Sequence, residues 1–78
     1  MRRLPFLSSA RIVRALRRAG FTDAPDRGKG SHQALLRTDD TGRARLVIVP
    51  KGKDIPRGTL LAILEQAGLS REEFLELL

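Results

Sequence analysis

Leu46-Val47-Ile48-Val49 is the most apolar and most β-branched run in the chain, and Pro50 follows it directly. Branched side chains pack well on a pleated surface, while proline cannot donate to a strand ladder, so Arg43 to Val49 reads as a well-buried strand that ends at Pro50. The fold must therefore contain a sheet. With 78 residues and no cysteine, that sheet has to share one apolar core with everything else, and no disulfide can replace core contacts. Residues 1–78 are expected to form a single domain, too small for a deep enclosed pocket, so any chemistry belongs on an open surface.

The flanking segments supply the rest of the sheet and its cover. His32 to Thr38 pairs naturally with the apolar run, because Asp39-Asp40-Thr41-Gly42 between them is a hairpin loop signal. Phe21 to Arg27 is a further strand candidate, which Pro25 restricts to an edge or bulge. Before the sheet, Ser8 or Ser9 can cap a helix with Ile12, Val13, Leu16 and Ala19 at helical spacing, ended by Gly20. After it, Asp54 is expected to cap a second helix with Pro56 in its first turn, carrying Leu60, Ile63, Leu64 and Ala67 and closed by Gly68. Ser70-Arg71-Glu72-Glu73 is a capping box that opens a short C-terminal helix. The order predicts an α+β fold of the double-stranded-RNA-binding type: α-β-β-β-α, a three-stranded antiparallel sheet with helices on one face, plus the terminal helix.

Charge narrows the partner. Fifteen Lys and Arg against nine Asp and Glu give a formal net charge of +6, and twelve of the fifteen are Arg. A polyanion suits such a surface, and the guanidinium fork grips phosphate at two points. Arg11, Arg14 and Arg18 give the first helix a cationic face, and Lys51, Lys53 and Arg57 gather before and within the first turn of the second helix, where the helix dipole also favours phosphate. Both groups serve equally well as solvated, solubilising surface. The basic start Met1-Arg2-Arg3 precedes an apolar stretch broken by Pro5, too short for a signal or a membrane span, so a cytoplasmic protein is expected.

His32 is the single histidine, and its side chain alone can act as base and acid near neutral pH. It stands where the turn Gly28-Lys29-Gly30-Ser31 meets a strand. Glycines let backbone approach a ligand, and successive amides beside Lys29, Gly30 and Ser31 can cradle a phosphate. The plainer alternative is a hairpin turn followed by an ordinary strand residue. RNA carries its own nucleophile, the 2′-hydroxyl, so one positioned base and nearby cations can suffice for cleavage without a metal. One His, no Cys and scattered carboxylates argue against a metal site. Phe6, Phe21 and Phe74 are expected in the core rather than on a stacking platform.

Three segments together resemble the HicA toxin family of bacterial toxin–antitoxin pairs: Ala19-Gly20-Phe21 at the first helix end, Lys29-Gly30-Ser31-His32, and Val49-Pro50 followed by Pro56-Arg57-Gly58-Thr59-Leu60 and Ile63-Leu64-Glu65-Gln66-Ala67-Gly68-Leu69. The resemblance implies metal-independent, cofactor-free mRNA cleavage with His32 catalytic, and inhibition by a HicB-type antitoxin. Many relatives carry a second His after the Val-Pro step and an aromatic after the catalytic His. Here those regions read Lys51-Gly52-Lys53 and Ala34-Leu35-Leu36, which weakens a two-histidine scheme. A non-catalytic RNA-binding module of the same layout, and a regulator whose basic surface meets an acidic protein, are the other readings.

Overall fold

In a computed structural model, residues 3–24 and 32–78 are described. The elements run α1 (Ser9–Arg18), β1 (Thr22–Asp23), β2 (His32–Thr38), β3 (Ala44–Pro50), α2 (Arg57–Ala67) and α3 (Arg71–Glu76). The three strands pair antiparallel in the order β1-β2-β3, and the helices cover one face, giving the α+β, double-stranded-RNA-binding-like fold.

Register explains which side chains enter the core. Leu35 lies opposite Val47 and Gln33 opposite Val49, and all three apolar residues of these pairs are completely buried. Alternation sends Leu36 and Leu46 to the other face, where they are about two-fifths exposed (40% and 37%). The apolar run is thus an edge strand whose core-facing Val47 and Val49 are completely buried, as expected of a well-buried strand, while β2 is the central strand. In a sheet with helices on a single face, no strand is covered on both sides.

The helices present the stripes expected of them. Ile12, Val13 and Leu16 from α1 and Leu60, Ile63 and Leu64 from α2 join Leu35, Val47, Val49, Phe21 and Phe74 in one cluster. The Ser8 hydroxyl accepts from the Arg11 amide to start α1, and the Ser70–Glu73 capping box starts α3 in both directions. Gly68 ends α2 at φ 71°, a left-handed backbone conformation that favours glycine.

One local expectation fails. Asp54 does not cap α2; Pro56 holds the N-cap position with no side-chain hydrogen bond, because the Ile55 amide is already engaged with the Leu7 carbonyl (2.8 Å) and this bridge fixes the approach. Of the expected strand Phe21–Arg27, Thr22–Asp23 forms one among the described residues, with Phe21 turned into the core and Ala24 past its end; residues 25–27 lie outside the described residues.

Asp39 organises the hairpin. Its Oδ1 accepts from the Thr41 hydroxyl (2.6 Å) and the Thr41 and Arg43 amides (3.0 Å each), and its Oδ2 accepts from Arg45 Nε at 3.1 Å. Thr41 first, then the Arg43 amide and Arg45, hold this carboxyl well below the usual range. Asp23 is lowered by Arg17 and Gln33, and Glu73 by the Ser70 amide and hydroxyl. A carboxylate lowered on folding contributes stability above its unfolded pKa, near 4, and loses it as pH falls below. Urea midpoints measured from pH 7 to pH 2 should therefore drop on the acid side, and the drop should be shallower in Asp39→Asn, which starts less stable at pH 7. Leu35→Ala, at the centre of the core, should cost about 2–5 kcal/mol by the same assay.

Candidate active site and nucleic-acid interface

His32 is the first residue of β2, opposite Pro50 in the register, and its side chain is exposed. Leu35, three residues on, faces the helices, so alternation puts His32 on the opposite face of the sheet with the buried Ala34 and the part-exposed Leu36. An imidazole at such a strand end is anchored by ladder hydrogen bonds on its C-terminal side and reachable by a large substrate. Gly28, Lys29, Gly30 and Ser31, the expected phosphate turn, lie outside the described residues.

From Pro50 the chain enters the basic loop, and this is the cationic group that the structure brings to the histidine's end of the sheet. Lys51 and Lys53 are exposed, while Gly52 between them is stitched to the start of α1. The Ser9 amide donates to the Gly52 carbonyl (2.9 Å), the Ser9 hydroxyl does so at 3.3 Å, and the Gly52 amide donates back to Ser9 Oγ at 3.2 Å. A Cβ on Gly52 would stand 3.1 Å from the Ile55 side chain, so close packing as well as hydrogen bonding fixes this loop. Holding the backbone lets both lysines project into solvent from a defined position. Ser9, which the sequence offered only as a possible helix cap, is a positioning residue; its partner is 43 residues away, beyond any local pattern.

The remaining cations divide by task. Arg57 Nε donates to the Leu4 carbonyl at 3.0 Å, and its guanidinium lies 4.7 Å over the Phe6 ring, so it ties the N-terminal segment to α2. Phe6 is thereby 59% exposed, a correction to its expected place in the core; the sequence signal was its position in a segment with no apolar periodicity. Arg18 donates to the Leu77 carbonyl (2.7 Å) and Arg17 pairs with Asp23 (3.0 Å). Arg11 and Arg14 make no side-chain hydrogen bond among the described residues and remain open to an anion. α1 therefore offers two arginines where three were expected to act alike, Arg18 being also a clasp on the C-terminal end.

A groove of about 470 Å³ lies elsewhere: Arg43 to Leu46 of β3 and Ala62, Glu65 and Gln66 of α2 line it, at the end of the sheet remote from His32. It lacks a group able to transfer protons near neutral pH. Among the described residues no cluster of three His, Cys, Asp or Glu could hold a metal ion, and no helix is long and apolar enough to cross a membrane.

Comparison with curated proteins finds no match to this chain. Comparison with family models does: the model described as the HicA toxin of bacterial toxin–antitoxin systems matches residues 9–69, from the first residue of α1 to just past the end of α2. The match spans both stitched elements, the whole sheet and His32. It implies a cognate antitoxin as partner. The chain belongs to the HicA toxin family.

Proposed function

We propose that the protein is a metal-independent, cofactor-free endoribonuclease that cleaves mRNA in the cytoplasm, with His32 as its catalytic residue and a HicB-type antitoxin as its inhibitor. The observation that carries this reading is an exposed histidine at the open end of a strand, beside a clamped loop that projects Lys51 and Lys53, in a chain of this toxin family.

RNA strands are polyanionic, and the cations at this end of the fold draw the backbone to it. His32 takes the proton from a 2′-hydroxyl; the 2′-oxygen attacks the adjoining phosphorus, and the bond to the 5′-oxygen breaks. The products are a 2′,3′-cyclic phosphate and a 5′-hydroxyl, the departing oxygen receiving a proton from His32 in its charged form or from water. No water is consumed in that step, and no metal is needed, because the nucleophile is internal to the substrate. Lys51 and Lys53, with Lys29, Gly30 and Ser31 just before the histidine in sequence, offset the charge that builds on the phosphorane oxygens. Arg11, Arg14, Arg18 and Arg57 bind flanking phosphates, the last two with the donors left over from their carbonyl contacts.

His32 lies outside the apolar core, so its replacement spares the fold. His32→Ala should lower cleavage by about 10²–10⁴-fold, the usual worth of a positioned general base, with RNA affinity and thermal midpoint nearly unchanged. Expression of both proteins in a bacterial host, with growth followed and RNA 3′ ends mapped, reads this directly: arrest and cyclic-phosphate ends from the wild type, neither from the variant. Equal arrest by the two would sink the mechanism, and salt-sensitive RNA binding with no cleavage by the wild type would favour a binding module. Co-expression of the HicB-type partner should restore growth.

A further inference from the structure

Where the N-terminal segment passes the first turns of α2, a small hollow of about 130 Å³ opens, with Arg3, Leu4, Arg57, Leu61 and Arg71 as its walls. Three guanidinium groups line it and no carboxylate does. Arg3, Arg57 and Arg71 form no ion pair among the described residues, whereas Arg17 and Arg45 each have an acidic partner. Gathering three like charges around one space is unfavourable unless an anion enters it.

We propose that this hollow is a phosphodiester site that holds one backbone phosphate of an RNA strand outside the cleaved linkage, with the neighbouring base against Phe6. The inference rests on the reading that RNA is the ligand. Arginine forks match phosphate oxygens in pairs, and the aliphatic walls, Leu4 and the part-exposed Leu61, suit the carbon face of a ribose. Phe6 adjoins the hollow, since Arg57 both lines it and stacks at 4.7 Å on the ring. The ring is 59% exposed, which leaves surface for a base, and every base has a π-face to offer it. Cations that alternate with an exposed aromatic repeat the pattern of a nucleotide chain; an acidic peptide would use the arginines and leave the ring unused.

The chain also leads from the candidate active site to the hollow within eight residues, Pro50 to Arg57. Pro50, opposite His32, leads through Lys51 and Lys53 to Ile55, bridged to Leu7, and then to Arg57, bonded to Leu4. The segment that joins the histidine's end of the sheet to the hollow thus carries Lys51, Lys53 and Arg57.

The test uses the full chain and a single-stranded oligoribonucleotide of about ten nucleotides, 2′-O-methylated so that it cannot be cleaved; binding is titrated over a range of salt. R3Q/R71Q leaves Arg57 and its carbonyl contact in place and should keep the wild-type melting temperature. It should bind several-fold more weakly, with log affinity falling less steeply against log salt by about 0.7, the loss of one neutralised phosphate on a single strand. Phe6→Leu should weaken binding roughly five-fold or more at an unchanged slope, as for loss of one stacked base. An R3Q/R71Q protein with wild-type affinity and slope overturns the proposal. Because the strand is inert, loss of the catalytic reading would leave these outcomes intact: a wild type that binds but cannot cleave natural RNA, with both variants weakened, supports the hollow and rejects only the chemistry. A wild type indifferent to the oligoribonucleotide, yet losing an acidic protein partner on R3Q/R71Q substitution, overturns the proposal in favour of a protein site.

Discussion

The fold depends on the one apolar face of a three-stranded sheet. Leu35, Val47 and Val49 supply that face, and neither helix can bury its stripe without it. In a chain without disulfides, burial of this layer is the main source of stability, at roughly 1.5–3 kcal/mol for each large side chain removed from water. The consequence for function is that, among the described residues, no helix covers the opposite face. A catalytic or binding group has to lie on that face or along the rim, and His32 at a strand end satisfies both conditions.

Arginine is used here as fastener as much as anion trap. Arg18, Arg37 and Arg57 each donate to a main-chain carbonyl from a different element: Leu77, Ala19 and Leu4. Each closes a junction where helix or chain ends would leave acceptors bare. A carbonyl bond uses one of the five N–H donors of a guanidinium, so a fastened side chain keeps hydrogen-bonding capacity and full charge. Fixing it in advance also reduces the rotamer entropy lost when an anion arrives. High net charge and a small fold are compatible because the cations that create repulsion also hold the edges together.

Local patterns made much of this legible. His32 to Thr38 has the bounds of β2, since a hairpin signal on one side and a glycine turn on the other mark it, and the Ser70 capping box and Gly68 stop are short-range devices readable within four residues. Errors arose where distant contacts overrode local preference. Asp54 is a good cap by composition, yet the Leu7–Ile55 bridge sets the start of α2. Phe6 is apolar by composition, but Arg57 draws it to the surface. The apolar run around Val47 looks uniformly buried, and only register reveals that Leu46 and Ile48 turn to the other face. For the site, His32 and the Lys51–Lys53 loop were visible as residue types. Their shared location became visible only through the pairing of His32 with Pro50, and the rigidity of the loop only through Ser9.

The outer edge of β3 has one further property. The Ile48 amide points away from β2 and donates to the Gln66 carboxamide oxygen of α2 at 3.1 Å. By the antiparallel alternation, the amides of Ala44 and Leu46 share that outward direction, and Pro50 has none to offer. A strand arriving from another molecule would find two adjacent rungs, flanked by Arg43 and Arg45, before the ladder is interrupted by a side chain of its own protein. Sheet growth between molecules needs longer runs of free rungs than this. A glutamine on a helix therefore closes part of the outer edge of an exposed, partly apolar strand to pairing with another chain.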